Sequence, residues 1–338
     1  MTDTSRPVVA GVDLGGNAIN YTFVDGREAW LIDGLCEHPA RSKEGPEICL
    51  QQIAGGLDIA AVRAGIRLGD IVGVGLDTPG PASAGGVLSA RGSTNFVHPD
   101  WAGFDIREGL ERKLGKPVTY LNDGNAGALW GHYAIFGAER TATSISAIIG
   151  TGLGGGVIAD GNVIKGRKGF GGELGHVLIS THGLLAEGQP VPRCNCGNLG
   201  DAESVASLTG MENNLLPYWL TRFPEHDLNG VDPVKAARAV RGYGERFDPL
   251  ALKIFEQQAQ ALGRLFSIAS NVTDPHAYFV GGGVVEAAPD FRAWFLRTVE
   301  ESTVLRDEQR QVAQFAVVPD LDMAGARGSA IAALGALR

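Results

Sequence analysis

Asn122 and Asp123 stand between a strand-like run and a helix-like run, a place where a carboxylate can do chemistry. The stretch Tyr120–Gly131 reads YLNDGNAGALWG. Val118, Thr119, Tyr120 and Leu121 have the apolar, β-branched character of a short buried strand, and helical spacing runs from about Asn125 to Phe136. In open α/β sheets, ligands bind just beyond the carboxyl ends of the strands. A carboxylate held there can take the proton of a hydroxyl as a general base. Aspartate at the start of a helix is also a common cap for its free N–H groups. The stretch by itself leaves both readings open.

Glycine clusters form a second set. Val8–Asp13 and Ile19–Val24 read as strands joined through Asp13-Leu14-Gly15-Gly16-Asn17. Thr143–Ile149 reads as a strand running into Gly150–Gly156, with extended structure resuming at Val157–Ala159. Each is either a plain hairpin or a tight turn whose N–H groups face phosphate, with Asp13 near a magnesium ion. Leu153-Gly154-Gly155 echoes Leu14-Gly15-Gly16, a weak repeat suggesting two related halves. Neither loop has the spacing of a P-loop or of a helix-opening GxGxxG. A third cluster, Gly281-Gly282-Gly283, follows a strand at Tyr278–Val280. A third set combines Glu173 and His176 with Cys194, Cys196 and Asp201. Two thiols at C-x-C spacing, an imidazole and a carboxylate can supply four ligands to a tetrahedral zinc; two small residues in a turn explain the cysteines equally well.

The elements that must position these groups are legible in outline. Pro46–Leu68 and Ile106–Leu114 have helical spacing, and Ile71–Leu76 is a strand broken by Asp77-Thr78-Pro79-Gly80-Pro81. Arg91–Trp101 is polar and turn-rich and contains Asn95. Asp248-Pro249 supplies an N-cap and an N1 proline for a long helix to about Val272. Pro233–Arg241 and a segment holding Phe291–Val299 are also helical, Phe315–Pro319 is a last strand, and Met323–Leu337 is a terminal helix. A chain of 338 residues suits two domains. Its net charge of −9 disfavours a nucleic-acid partner held by a basic face. MTDTSRP lacks the pattern of a signal peptide, and no apolar run approaches the ~18 residues of a membrane span. Four cysteines do not make a disulfide framework in a chain this long. The expected location is the cytoplasm.

Taken in this order, the motifs resemble the ROK family of sugar kinases and repressors, in the actin/hexokinase-like superfamily. The resemblance implies an α/β fold of two actin-like (ribonuclease H-like) domains with mixed sheets flanking a central cleft. The first is expected at residues 1–121 with 324–338, the second at 122–323. It makes Asp13, Gly15, Gly16 and Asn17 the first phosphate loop. Gly150, Thr151, Gly152 and Gly154 become the second, and Gly281, Gly282 and Gly283 the adenosine-side loop. It assigns sugar contacts to Gly80, Asn95, Asn122, Asp123, Glu173, His176 and Glu203, and makes Asp123 the catalytic base. It places a structural zinc on His176, Cys194 and Cys196, with Asp201 standing where the family has a third cysteine. Asn17 replaces a family threonine, and residues around Leu184–Pro192 and Glu212–Arg241 are additional. The expected activity is an ATP-dependent hexose kinase using Mg-ATP, most directly glucose to glucose 6-phosphate. Fructose, mannose, allose and N-acetylmannosamine are alternative acceptors, and a sugar-binding protein with weakened kinase activity is the alternative role. A homodimer is expected, with no membrane partner. A DNA-binding repressor is disfavoured because the first strand begins by about Val8.

Overall fold

The computed structural model describes residues 7–89, 95–137 and 141–337. The readings of Met1–Arg6 and of Arg91–Thr94 therefore lie outside the described residues. In chain order, β1 (Val8–Leu14), β2 (Ala18–Asp25) and β3 (Glu37–Pro39) precede α1 (Pro46–Arg63), β4 (Ile71–Thr78), α2 (Ile106–Leu114), β5 (Val118–Asn122) and α3 (Asp123–Phe136). A second series opens with β6 (Ser144–Ile149), β7 (Leu153–Ala159) and β8 (Asn162–Val163), then the short α4 (Leu208–Gly210) and α5 (Leu216–Leu220). It continues through α6 (Pro233–Gly244), α7 (Pro249–Thr273), β9 (Ala277–Gly282), α8 (Pro289–Ser302), α9 (Asp307–Arg310) and β10 (Gln314–Val317). α10 (Leu321–Ala336) comes last.

The two series build two five-stranded sheets with one strand order, β3-β2-β1-β4-β5 and β8-β7-β6-β9-β10. In both, an antiparallel hairpin (β1–β2, β6–β7) is extended by parallel strands. The repeat in topology is therefore complete, but the sequence echo is out of step with it. Leu14-Gly15-Gly16 runs out of β1 into its turn, whereas Leu153-Gly154-Gly155 lies inside β7, and the turn is Gly150-Thr151-Gly152. Glycine is needed within β7 because the Leu174 side chain and the Ser146 carbonyl close over Gly155 at 3.2 and 2.5 Å from a Cβ placed there.

By contacts the chain divides into Met1–Ala138 with Val163–Gly172 and Pro319–Arg338, and Glu139–Asn162 with Glu173–Val318. These bounds differ from those expected at 121/122 and 323/324. α3 is held against α10, where the Ala126 carbonyl lies on Gly328, so α3 and Asp123 stay with the first unit.

Strand alternation explains how the first unit is layered. Val8, Ala10, Val12 and Leu14 of β1 enter a core that includes Ile53 and Leu57 of α1 and Leu110 of α2. Val9 joins Ala330, Ala333 and Leu334 of α10 on the opposite face. Gly11 shares that face, and Asp13 follows at the same parity. α10 approaches so closely that a Cβ on Gly11, Gly75 or Gly328 would land on the Ala326, Ser329 or Ala126 carbonyl. Gly328→Ala should therefore cost about 2–3 kcal/mol through overpacking, lowering Tm by about 4–10 °C. Gly335→Ala, in the same helix with open space around it, should leave Tm unchanged or raise it. Thermal melts of the two variants side by side check the prediction. In the second unit, Asp248 caps α7 by accepting the Ala251 N–H (3.0 Å), and Leu250, Ile254, Phe255, Leu262, Leu265 and Phe266 bury one of its faces.

Candidate functional site

Three adjacent parallel strands of the first unit carry polar groups at their carboxyl ends. The register pairs Asp13 with Asp77 and Thr78 with Asn122. Asn122 is the N-cap of α3, its Oδ1 accepting the Asn125 N–H at 2.8 Å. Asp123 is the first residue of the helix, two residues earlier than periodicity suggests, and is exposed. Its Oδ1 accepts a local bond from the Gly124 N–H (2.7 Å). Capping and the exposed carboxylate are thus divided between two residues, which the sequence alone left merged in one.

Asp13 lies against Asn20, whose Nδ2 donates to its Oδ2 at 3.3 Å, and against Gly325 of α10. Asp77 is fully buried, and its Oδ2 accepts the Ser329 hydroxyl at 2.7 Å. Burial, followed by the adjoining Asp13 charge, holds the Asp77 carboxyl well above the usual carboxylate range; the Ser329 bond opposes this. Burial also raises Asp13, against the opposing hydrogen bonds of Asp77 and Asn20. Folded Asp77 therefore retains its proton after the unfolded chain has lost it. Stability from this group falls as pH climbs from the ordinary aspartate value of about 3.9 toward the raised folded value, at about 1.4 kcal/mol per unit of displacement. Asp77→Asn should flatten that decline and raise Tm at pH 8, as melts from pH 4 to 8 would show. A uniformly lowered Tm would contradict it.

Around the first glycine turn, Asn95 packs its side-chain amide on Gly16, with its Cβ 3.3 Å from the position a Gly16 Cβ would take. The buried Ser42 hydroxyl ties the two segments, donating to the carbonyls of Gly16 (2.8 Å) and Asn95 (3.1 Å). The Trp101 indole N–H holds the Ser42 carbonyl at 2.7 Å. Asn17 is exposed at the turn, and Gly80 is exposed just past β4.

In the second unit, β6 and β9 run parallel and end side by side, pairing Ile149 with Gly282. Gly282 has φ +94°, and a Cβ there would strike the Ile149 carbonyl, so the position demands glycine. The second glycine turn is fixed by Gly150 N–H to Gly152 O (2.9 Å), and α4 donates Leu208 and Thr209 N–H groups to Gly150 and Thr151. A pocket of about 410 Å³ opens beside it, lined by Gly150, Thr151, Met211, Arg238, Gln258 and Gly283 among others. Gly281 and Gly154 lie in the strands on either side of β6 rather than in the pocket.

Glu173, His176 and Glu203 meet in this unit. The Gly175–Ile179 segment pairs with Gly200–Glu203 through Glu203 N–H to Gly175 O (2.8 Å) and Ala202 N–H to Val177 O (3.0 Å). Burial raises the Glu173 carboxyl, with the His176 ring opposing and the Glu203 charge adding to it. Glu203 reaches two ways: Oε2 accepts the Leu153 N–H (2.9 Å) and Oε1 accepts the Cys194 thiol (3.3 Å). Cys194–Gly200 is a tight knuckle closed by Cys194 N–H to Asn198 O (2.9 Å) and turned by Gly197 at φ +100°.

The knuckle brings together His176 Nδ1, Cys194 Sγ, Cys196 Sγ and an Asp201 oxygen, all within 4.8 Å of one another. His176 Nδ1 is 3.4 Å from Asp201 Oδ2 and 3.9 Å from Cys194 Sγ, and Cys196 Sγ is 3.4 Å from Asp201 Oδ2. A tetrahedral zinc with ordinary Zn–S and Zn–N bonds has ligand–ligand edges of about 3.3–3.8 Å. The donor set fits the ion in number and type, and these three edges lie near that spacing.

The ROK family model matches residues 9–336. The chain belongs to the ROK family. A glucokinase of Thermotoga maritima is 33% identical over 293 residues, covering 82% of each chain. The ROK hexokinase of Thermus thermophilus superposes with TM-score 0.74 at 28% identity, covering 98% of this chain and 99% of its own. A ROK family glucokinase of Streptomyces griseus, solved with glucose and AMPPNP, gives TM-score 0.67 at 27% identity over 96% and 99% of the two chains. The ROK fold, two mixed sheets flanked by helices, is the architecture described above. No helix among its described residues is long and apolar enough to cross a membrane.

Two residues with unusual surroundings escaped the sequence reading. Asp77 opens the strand-breaking run to Pro81, yet it also closes an apolar strand as Asp13 does, a signature the two share. Gln258 lies in a helix whose apolar face explained the segment, and nothing in its neighbours marks a buried amide.

Proposed function

We propose that this chain transfers the γ-phosphoryl of Mg-ATP to a hexose hydroxyl, with glucose the preferred acceptor and glucose 6-phosphate the product. Its kinship with ROK glucokinases and hexokinases makes it an ATP-dependent sugar kinase. The observation that carries the assignment of the base is the exposed Asp123 carboxylate beyond the end of β5, relieved of helix capping by Asn122. A sugar hydroxyl is a poor nucleophile near neutral pH, and a carboxylate within hydrogen-bond reach accepts its proton as the O–P bond forms. Asp123 takes that role. Gly80, Asn95, Asn122, Glu173, His176 and Glu203 bind the remaining hydroxyls, their carboxylates and amides suiting vicinal diols.

Phosphoryl transfer asks mainly for positioning and charge neutralisation. In this reading the glycine turns at Gly15–Asn17 and Gly150–Gly152 present N–H groups to the triphosphate, and Gly283, just past β9, bounds the adenosine. A carboxylate beside a phosphate turn suits magnesium, which is held by one or two carboxylates together with phosphate oxygens. Asp13 would hold it, and the ion supplies neutralisation of phosphate charge. His176, Cys194, Cys196 and Asp201 would hold a structural zinc, which secures the knuckle preceding Glu203 and supplies no open position for reaction. ADP release measured across a hexose panel, with and without Mg²⁺, tests the proposal. The highest kcat/KM with glucose is the expected result, and another preferred sugar would reassign the acceptor.

A further inference from the structure

We infer that Asn214 is a positioning residue for sugar binding, its side-chain amide closing the neck of the Cys194–Glu203 loop and so setting where the Glu203 carboxylate stands. The inference rests on Glu203 binding the hexose, as proposed above. Asn214 Nδ2 donates to two backbone carbonyls, Ser204 at 2.9 Å and Arg193 at 3.1 Å, and Oδ1 accepts the Arg193 N–H at 3.1 Å. Arg193 immediately precedes Cys194, and Ser204 immediately follows Glu203. One amide therefore holds both ends of the loop. Its sense is fixed, because turning it over would press its oxygen against two carbonyls.

The helix that carries Asn214 is itself seated on this loop. α4 and α5 are joined through Met211–Leu215, a widened turn in which the Leu216 N–H reaches the Met211 carbonyl, five residues back. Pro217 accounts for the widening, since it has no N–H to give and in a regular α-helix its ring would press on the Asn213 carbonyl. At the start of the helix, Ser207 Oγ accepts the Gly210 N–H (2.8 Å) and donates to the Glu203 carbonyl (2.7 Å). A Cβ on Gly210 would lie 2.6 Å from the Ser204 carbonyl, so the helix and the loop meet without a gap. Asn214 follows about one turn later and adds the Arg193 side of the neck to the Ser204 side. The Glu203 side chain has one partner off the loop, the Leu153 N–H on Oε2, and one on it, the Cys194 thiol on Oε1. Releasing Arg193 frees Cys194 to drift and leaves the carboxylate anchored through a single oxygen.

Hexose kinetics on the intact chain should compare wild type, Asn214→Ala, Glu203→Ala and the double variant. Asn214→Ala should raise the hexose KM about 10-fold, short of the roughly 100-fold that a 1 Å misplacement can cost, and change kcat by less than about 3-fold. Glu203→Ala should raise the KM at least as much. Added to Glu203→Ala, the Asn214 change should raise the KM by less than about 3-fold further, because the group it positions is gone; independent sites would multiply instead. Asn214→Asp keeps the shape and the bond from the Arg193 N–H but turns an oxygen onto two carbonyls. It should behave like Asn214→Ala and takes its place if the alanine variant does not fold. An unchanged KM in the Asn214 variants, or full multiplication in the double variant, would overturn the inference while leaving Glu203 as a sugar ligand. An unchanged KM in Glu203→Ala would remove the sugar reading of Glu203, and the inference with it.

Discussion

Asp123→Asn should lower kcat by about 10²–10⁴-fold, the usual contribution of a positioned general base, while leaving sugar affinity and Tm almost unchanged. The asparagine keeps the shape and an oxygen that can accept the Gly124 N–H now held by Asp123 Oδ1. It loses the basicity that removes a hydroxyl proton. Helix stability is not at stake, because Asn122, not Asp123, caps α3. The paired variant separates the two roles. Asn122→Ala should cost about 1 kcal/mol of stability by freeing the Asn125 N–H. Steady-state kinetics, sugar binding by calorimetry and thermal melts on both variants provide the comparison. Near-normal turnover in Asp123→Asn would remove it as the base. A large Tm loss in that variant would return it to a structural role.

Local signals carried much of the fold. β1 and α2 lie at or within one residue of the expected bounds, and α7 opens at the expected Asp248-Pro249 cap. Their signals are alternation, helical spacing and a capping side chain, all of which act over a few residues. Boundaries set by packing were less legible. The second hairpin was expected to keep its glycines in the turn, but β7 begins at Leu153 because Gly154–Gly156 pair with β6. The resemblance puts α3 in the second domain, although its tight contact is with α10, nearly two hundred residues away. The same reason hid the surroundings of Asp77. Its hydrogen bond from Ser329 comes from 252 positions along the chain. Asp13, Asp123, Glu173, His176 and Glu203 were named from motif order, whereas the buried amide of Gln258 has partners at Val205 and Ser207 that no local pattern connects to it.

Protein purified without chelator should contain about one zinc per chain, four protein donors making a closed structural site. Cys194→Ser should lose most of it, since hydroxyl is a far weaker zinc ligand than thiolate. The functional effect should fall on the sugar more than on the chemical step. Cys194 contacts Glu203 Oε1 directly, and Glu203 Oε2 holds the Leu153 N–H beside the second glycine turn. Loosening the knuckle therefore frees a proposed sugar-binding carboxylate at one end while its other oxygen stays anchored. The hexose KM should rise at least about 10-fold, the lower end of losses seen when outer partners of a metal site are removed. Tm should fall as well, because the site joins His176 to a segment nearly twenty residues further on, and metal binding of this kind stabilises the fold outright. Asp201→Asn is the finer probe. It keeps an oxygen near His176 and Cys196 but removes the charge, so it should weaken zinc retention under chelator challenge more than it lowers Tm. Elemental analysis, melts with and without chelator, and the KM–kcat split give independent readouts. Absence of stoichiometric zinc, with unchanged KM in Cys194→Ser, would reduce the knuckle to a hydrogen-bonded turn. Glu203 would then be positioned by the Leu153 N–H and the Cys194 thiol.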